Sequence, residues 1–345
     1  MNARVDRLRA LVDEPFLVTD PVNVRYLAAF RSTNAALLVE QDGVRLFTDF
    51  RYAEKARALD SLEVVETARN LLGALGELLS GRIAFEADAV TYAGYEALRS
   101  GGAELVPTTR VILGLRAVKD DAELDAMRCA SATGDRAFER LAGERFIGRT
   151  ERELAWRMEE LMHEEGADGL AFPVVVAAGP TGASPHADPG ERTIEPGETV
   201  VVDAGCTVDG YCSDCTRTFA TGPLAAPLRD AYAVCLEAQL AALEAVHAGA
   251  HGRDVDRVAR DRIDAGEFAG AFGHGLGHGV GLMVHEAPVL RPESEDTLEP
   301  GNVVSVEPGI YLPGQGGIRI EDLVVVTDDG PEVLTPFSKN LVDVA

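Results

Sequence analysis

The chain has 345 residues, with 32 Lys or Arg against 57 Asp or Glu, a formal net charge of −25. Hydrophobic residues make up 46% and charged residues 26%, a globular balance that argues against long disorder. A charge of this sign excludes a surface built for nucleic acid or anionic membrane, and suits a site that gathers cations or amine-bearing substrates.

The length fits two domains, each with its own core. No apolar run approaches a membrane span. Met1–Glu14 is charged throughout and has no signal-peptide apolar region; its Val5, Leu8, Leu11 and Val12 sit at helical spacing and predict a short amphipathic helix. The expected compartment is the cytoplasm, and five cysteines, an odd number, fit a reducing environment better than a disulfide scaffold.

Ala35–Glu40 and Val44–Thr48 flank Gln41-Asp42-Gly43 and predict a hairpin. A helix over Arg51–Leu59, strands at Leu62–Glu66 and Ile83–Phe85, and a helix over Tyr92–Arg99 follow. Pro107 and Leu113-Gly114 punctuate the end, so domains of 1–115 and 116–345 are expected. Asp120 with Glu123, then Thr150 with Glu153, are helix-start signals. Strands at Phe172–Ala178, Thr199–Ala204 and Cys212–Ala220 come next. Helices over about 225–248 and 254–265 precede strands near 277–285, 303–311 and 317–326. Helix, helix, strands thus occurs twice, and the two halves are expected to pack on one shared antiparallel sheet with a site between them.

Turn chemistry aims specific carboxylates. Asp209-Gly210 is a two-residue hairpin signal. With Val208 opposite Tyr211, Asp203 faces Thr216, and Asp203 and Asp214 share a face as diagonal neighbours about 7–8 Å apart. Likewise, a hairpin centred on Gly314 puts Glu307 opposite Glu321, with Arg319 and Tyr311 on the same face. Carboxylates this close repel unless a cation lies between them. His274, His278 and His285 cluster nearby, and the glycines between the first two argue against a helical zinc-protease motif. A single Asp or His at such a position is ordinarily a turn residue or a satisfied core group. Two hairpins that each aim paired acids at one face, beside a histidine cluster, point instead to metal. Four carboxylates and an imidazole suit Mn²⁺ or Co²⁺, with Zn²⁺ or Fe²⁺ as alternatives, and the charge suits two divalent ions roughly 3.5–4 Å apart. Cys212-Ser213-Asp214-Cys215 has C-x-x-C spacing, but residues three apart on a strand face opposite ways, so small strand residues around a ligand is the better reading.

The segments Val202-Asp203-Ala204-Gly205, Ser213-Asp214, Gly277-His278-Gly279-Val280-Gly281 with His285-Glu286, Val306-Glu307-Pro308-Gly309 and Arg319-Ile320-Glu321-Asp322 resemble the creatinase/prolidase group of pita-bread metallopeptidases. Within that group they are most similar to the Xaa-Pro peptidases, prolidase and aminopeptidase P. Tyr26-Leu27, Asn34-Ala35 and Asp49-Phe50-Arg51-Tyr52 resemble the group's creatinase-like N-terminal domain. The resemblance implies an α/β protein with a pita-bread catalytic domain and a homodimer. It implies five metal ligands, Asp203, Asp214, His278, Glu307 and Glu321, with Asp214 and Glu321 bridging two ions. It further implies Glu307 as proton acceptor, His186, His274 and His285 around the substrate and its oxyanion, and Arg319 and Tyr311 orienting the network. Arg291, close after His285-Glu286, or else an arginine of the N-terminal domain, is the expected partner of a proline carboxylate. Prolidase, acting on Xaa-Pro dipeptides, is the leading reading and aminopeptidase P, acting on longer peptides, the alternative. A non-catalytic pita-bread binding module is the reading from a different class.

Overall fold

Residues 3–59 and 62–345 are described by the computed structural model, which separates into two units, Met1–Arg116 and Ala117–Ala345. The N-terminal helix α1 (Ala3–Arg9) buries Val5 and Leu8; Met1 and Asn2 of the expected helix lie outside the described residues. Then come β1 (Phe16–Val18), α2 (Pro21–Ala28), β2 (Ala35–Val39), β3 (Val44–Asp49), α3 (Phe50–Arg57), β4 (Glu63–Thr67), α4 (Leu71–Leu78), β5 (Arg82–Glu86), α5 (Tyr92–Arg99), β6 (Glu104–Thr108) and α6 (Val111–Ala117). The strands form one sheet in the order β4-β3-β2-β1-β5-β6. β2 and β3 pair as the expected hairpin, while β3–β4 and β5–β6, each joined through a helix, pair in parallel. Leu38, Phe47, Leu75, Ile83, Phe85 and Leu98 pack the core of this unit. Pro107 does not end the unit but lies in β6 opposite Phe85, at a sheet edge where a missing N–H is tolerated.

The second unit opens with α7 (Asp121–Ala142) and α8 (Glu151–Glu164), each entered through a complete capping box, Asp120 with Glu123 and Thr150 with Glu153. After them come β7 (Gly169–Leu170), β8 (Val175–Ala178), β9 (Thr199–Ala204), β10 (Cys206–Val208), β11 (Tyr211–Cys212) and β12 (Cys215–Ala220). Phe138, Leu141, Leu154 and Met158 of the helices pack on Val176, Val200, Val202 and Phe219. The arrangement then recurs. α9 (Ala226–Ala245) and α10 (Gly252–Asp264) precede β13 (Gly277–Gly279), β14 (Glu286–Leu290), β15 (Val303–Val306), β16 (Gly309–Leu312), β17 (Gly316–Arg319), β18 (Asp322–Thr327) and β19 (Gly330–Val333). Cys235, Val255 and Ile263 pack there on Val304, Val306, Ile310 and Ile318.

The shared sheet expected for the two halves is instead divided into four hydrogen-bonded groups: β12-β9-β8, β11-β10-β7, β14-β13-β15-β18-β19 and β16-β17. The breaks fall at carboxylates. Asp214 lies between β11 and β12, Glu307 between β15 and β16, and Glu321 between β17 and β18. The Glu307 N–H donates to Leu276 O and the Glu321 N–H to Thr216 O, so neither serves the ladder on its own strand pair. Register nonetheless carries across the breaks. Asp203 pairs with Thr216 and Val208 with Tyr211; Val306 pairs with Asp322 and Gly309 with Arg319. Glu307 therefore stands opposite Glu321. One glycine is required here: a Cβ on Gly205 would sit 2.1 Å from Ser213 O and 2.8 Å from the Phe172 ring. Cys212 is buried in a cluster with Met127 and Val280, and both Cys212 and Cys215 are free thiols.

Candidate active site

The two hairpins deliver Asp203, Asp214 and Glu321 to one place, where one oxygen from each lies within 4.8 Å of the others. Thr216 Oγ1 donates to Glu321 Oε2 at 2.7 Å, and Arg319 Nη2 donates to Asp203 Oδ2 at 2.7 Å. The remaining oxygens, Asp203 Oδ1 and Glu321 Oε1, are buried with no hydrogen-bond partner among the described residues. Buried anionic oxygens without donors are costly unless a cation meets them. The carboxylate oxygens therefore fit divalent metal.

His278, on β13, completes the cluster from the second half. Its Nδ1 lies 3.1 Å from Gly279 O, an acceptor, so Nδ1 carries the proton and Nε2 presents its other face to Glu307 Oε1 at 3.2 Å and Asp214 Oδ2 at 3.7 Å. Ser305 Oγ donates to the same Glu307 oxygen at 3.0 Å and accepts from the His278 N–H at 3.1 Å. This leaves the imidazole Nε2 and the carboxylate side by side as metal donors, each oriented by a second partner.

The electrostatics follow from burial. Burial, then the charges of Glu321 and Asp203, push Asp214 well above the ordinary carboxylate range. Burial and the charge of Glu307 do the same to Glu321. Asp203 is also raised, by burial, against the pull of Arg319. For Glu307, burial is outweighed by the hydrogen bond and charge of His278, which hold it at about 2. For His278, burial is outweighed by Glu307, which lifts it to about 9.

Around this cluster runs a second set of contacts. Arg319 Nη1 donates to Tyr311 Oη at 3.1 Å, Tyr311 Oη is 2.8 Å from His274 Nε2, and His274 Nδ1 is 2.8 Å from Gly275 O. The Gly275 carbonyl fixes the proton on Nδ1, so Tyr311 donates to Nε2. The His285 ring stands edge-on to His278 with centroids 4.3 Å apart. A cavity of about 430 Å³ joins the parts. Its lining holds all five proposed ligands, His186, His274, His285, Arg291 and Arg319. Tyr311 is not in the lining and reaches it only through His274 and Arg319. His274 lies in a loop rather than on a strand with His278, and β13 is shorter than the strand expected near 277–285.

Several contributors escaped the sequence reading. Thr216 and Ser305 orient carboxylates; the first faces Asp203 by register, and the second is two residues before Glu307 on the same face, so both were accessible from alternation. Phe172, Val175, Val284 and Val289 give the cavity an apolar side, and the first three lie in segments expected to be strands with nothing in the composition to mark them as cavity residues.

Comparison with known proteins places these features in a family. Residues 4–118 match the creatinase/prolidase N-terminal domain, and residues 125–328 match metallopeptidase family M24. A curated Xaa-Pro dipeptidase of Pyrococcus furiosus is 32% identical over 99% of this chain and 100% of its own length. Among solved structures, an Xaa-Pro dipeptidase from Bacillus anthracis superposes with a TM-score of 0.95 at 37% identity, covering 99% of each chain. An X-Pro aminopeptidase from Thermotoga maritima superposes with a TM-score of 0.90 at 32% identity, covering 98% of this chain and 100% of that one. The second unit has the pita-bread fold, and with a buried carboxylate cluster suited to divalent metal at its centre, the chain belongs to metallopeptidase family M24.

Proposed function

We propose that this protein is a two-metal peptidase hydrolysing the bond before proline, with Xaa-Pro dipeptides as its preferred substrates. The observation that carries the reading is the junction, in one cavity, of the Asp203–Asp214–Glu321 oxygens with the His278–Glu307 pair and Arg291. The dipeptidases from Pyrococcus furiosus and Bacillus anthracis support it, and the Thermotoga maritima aminopeptidase keeps longer peptides as the second reading.

Asp203, Asp214, His278, Glu307 and Glu321 would together hold two divalent ions. The oxygen-rich donor set favours Mn²⁺ or Co²⁺ over Zn²⁺ or Fe²⁺. Bound divalent ions polarise a carbonyl and lower the pKa of water toward neutrality. Glu307 accepts and passes on the proton released in attack. His285 and His186 line the same cavity and donate to the carbonyl oxygen as it gains charge. His274 is held by Tyr311 and Gly275 with a fixed tautomer, and Arg319 orients Asp203 and opposes the rise in its pKa that burial imposes. Arg291 pairs with the proline carboxylate of a dipeptide. The protein is taken to act as a homodimer in the cytoplasm; five free cysteines suit a reducing compartment, and no helix among the described residues is long and apolar enough to cross a membrane.

The test is hydrolysis of an Xaa-Pro dipeptide beside an Xaa-Pro-Yaa tripeptide, by protein stripped with chelator and reloaded with Mn²⁺ or Co²⁺. Faster dipeptide cleavage supports the reading. Faster tripeptide cleavage favours an aminopeptidase, and no bound ion with no hydrolysis favours a binding module.

A further inference from the structure

We infer that the buried Lys119–Glu286 pair is a positioning device for His285, the histidine on the cavity side of the same turn. The inference rests on the function proposed above for its catalytic consequence, but its structural content stands apart from it.

β14 alternates. Glu286, Pro288 and Leu290 are buried, while His285, Val289 and Arg291 line the cavity. Glu286 thus points away from the substrate space, into the protein. Its Oε1 accepts the Met283 N–H at 3.0 Å, and its Oε2 is 3.5 Å from Lys119 Nζ, with the two side chains 2% and 1% exposed. The turn from Gly281 to His285 wraps around that carboxylate. A Cβ on Gly281 would lie 2.6 Å from Glu286 Oε2, so a side chain there would push the carboxylate out of its place. Gly281 also ties the turn down, its N–H donating to Met283 O and its carbonyl accepting from the Cys212 N–H. Lys119 is anchored in turn, its N–H donating to Gly301 O.

A buried ion pair is expensive, and well-packed apolar residues commonly serve stability as well or better. Lys119 is one of only three lysines in the chain, with Lys55 and Lys339. Its use here, against the Glu286 that directly follows a histidine standing 4.3 Å from His278, is explained by geometry: the pair sets the turn that aims His285 and Val284 into the cavity.

The experiment compares wild-type protein with Lys119→Met/Glu286→Gln, which removes both charges together and keeps the acceptor for Met283; Lys119→Arg is the conservative control. All are loaded with Mn²⁺. We expect metal content to match wild type and kcat on an Xaa-Pro dipeptide to fall about 10–100-fold in the double variant. Activity should be largely retained in Lys119→Arg. Adding His285→Ala should cost much less in the double-variant background than in wild type, because the histidine is already misplaced. A crystal structure of the double variant should show the His285 ring moved from His278 or without a fixed position. A ring still about 4.3 Å from His278, or equal cost of His285→Ala in both backgrounds, would overturn the inference. If wild-type protein cleaves no Xaa-Pro peptide, the proposed function fails, and the His285 position in the variant structure still decides this point.

Discussion

At Asp214 three forces meet: burial, the nearby Glu321 and Asp203 charges, and the His278 imidazole 3.7 Å away. Without a cation the like charges repel; with one they become its ligands. Asp214→Asn should therefore act in opposite directions on the two forms. Hydrolysis falls by at least about 10³-fold and metal content drops, while the chelated protein gains on the order of 1–2 kcal/mol from relieved repulsion. Metal analysis and thermal unfolding with and without chelator check both arms; unchanged turnover with unchanged metal would contradict the assignment. Gly205→Ala tests the hairpin that places this residue. The added Cβ would meet Ser213 O, a backbone atom that cannot swing aside. A loss of at least about 2 kcal/mol is expected, with activity falling as the spacing of Asp203 and Asp214 changes. An alanine variant with unaltered denaturant midpoint would show that the two strands are less closely joined there. These positions were legible because turn type and the two-residue period fix which side chains share a face. Thr216 and Ser305 obeyed the same rule, but a hydroxyl carries no signal of its own until its carboxylate partner is recognised.

Among the elements, α7 and α8 were the most legible, since each begins at an acceptor side chain with Glu three residues later. β14 and β19 were not. β14 pairs with β13 through a register shift between His278 and Gly279, and a bulge leaves no trace in a period of two. Inside α7 lies a residue that helical patterning does not explain. Asp135 is buried, its Oδ1 has no partner among the described residues, and burial raises its pKa to about 6, against the opposing charge of Arg217. A carboxyl whose folded pKa exceeds its unfolded value binds its proton more tightly in the native state. Its stabilising effect is present below about 3.8, the ordinary value, and is lost as pH rises toward about 6. Asp135→Asn, which stays neutral, should then match wild type near the acid end of that window and exceed it at pH 7.5 by on the order of 1–2 kcal/mol. Urea midpoints at pH 4 and 7.5 measure this. A variant less stable than wild type at pH 7.5 would mean that the ionised Asp135–Arg217 attraction outweighs burial.

For the molecule as a whole, the net charge of −25 opposes the approach of any peptide carboxylate. The cavity answers this locally. Of its two arginines, Arg319 is committed to Asp203 and Tyr311, while Arg291, exposed just past the end of β14, has no carboxylate partner among the described residues. The duplicated helix–helix–strand order was readable from the sequence, because it recurs at nearly constant offset. The division of the sheet was not, because it depends on where individual N–H groups at Glu307 and Glu321 donate. Chain-length preference belongs to this larger scale, since it joins the catalytic carboxylates to an arginine just past the end of β14. A dipeptide ending in proline brings a carboxylate that can pair bidentately with a guanidinium; extension past proline moves it away and leaves the arginine unpaired. Dipeptides should therefore be cleaved faster than tripeptides. Arg291→Ala should lower dipeptide kcat/KM about tenfold more than tripeptide kcat/KM, chiefly through KM. The comparison needs one preparation, one metal and both substrates. A wild-type preference for tripeptides would replace the dipeptidase reading with an aminopeptidase. A dipeptide preference that survives Arg291→Ala unchanged would leave the reading intact and assign the carboxylate to another group.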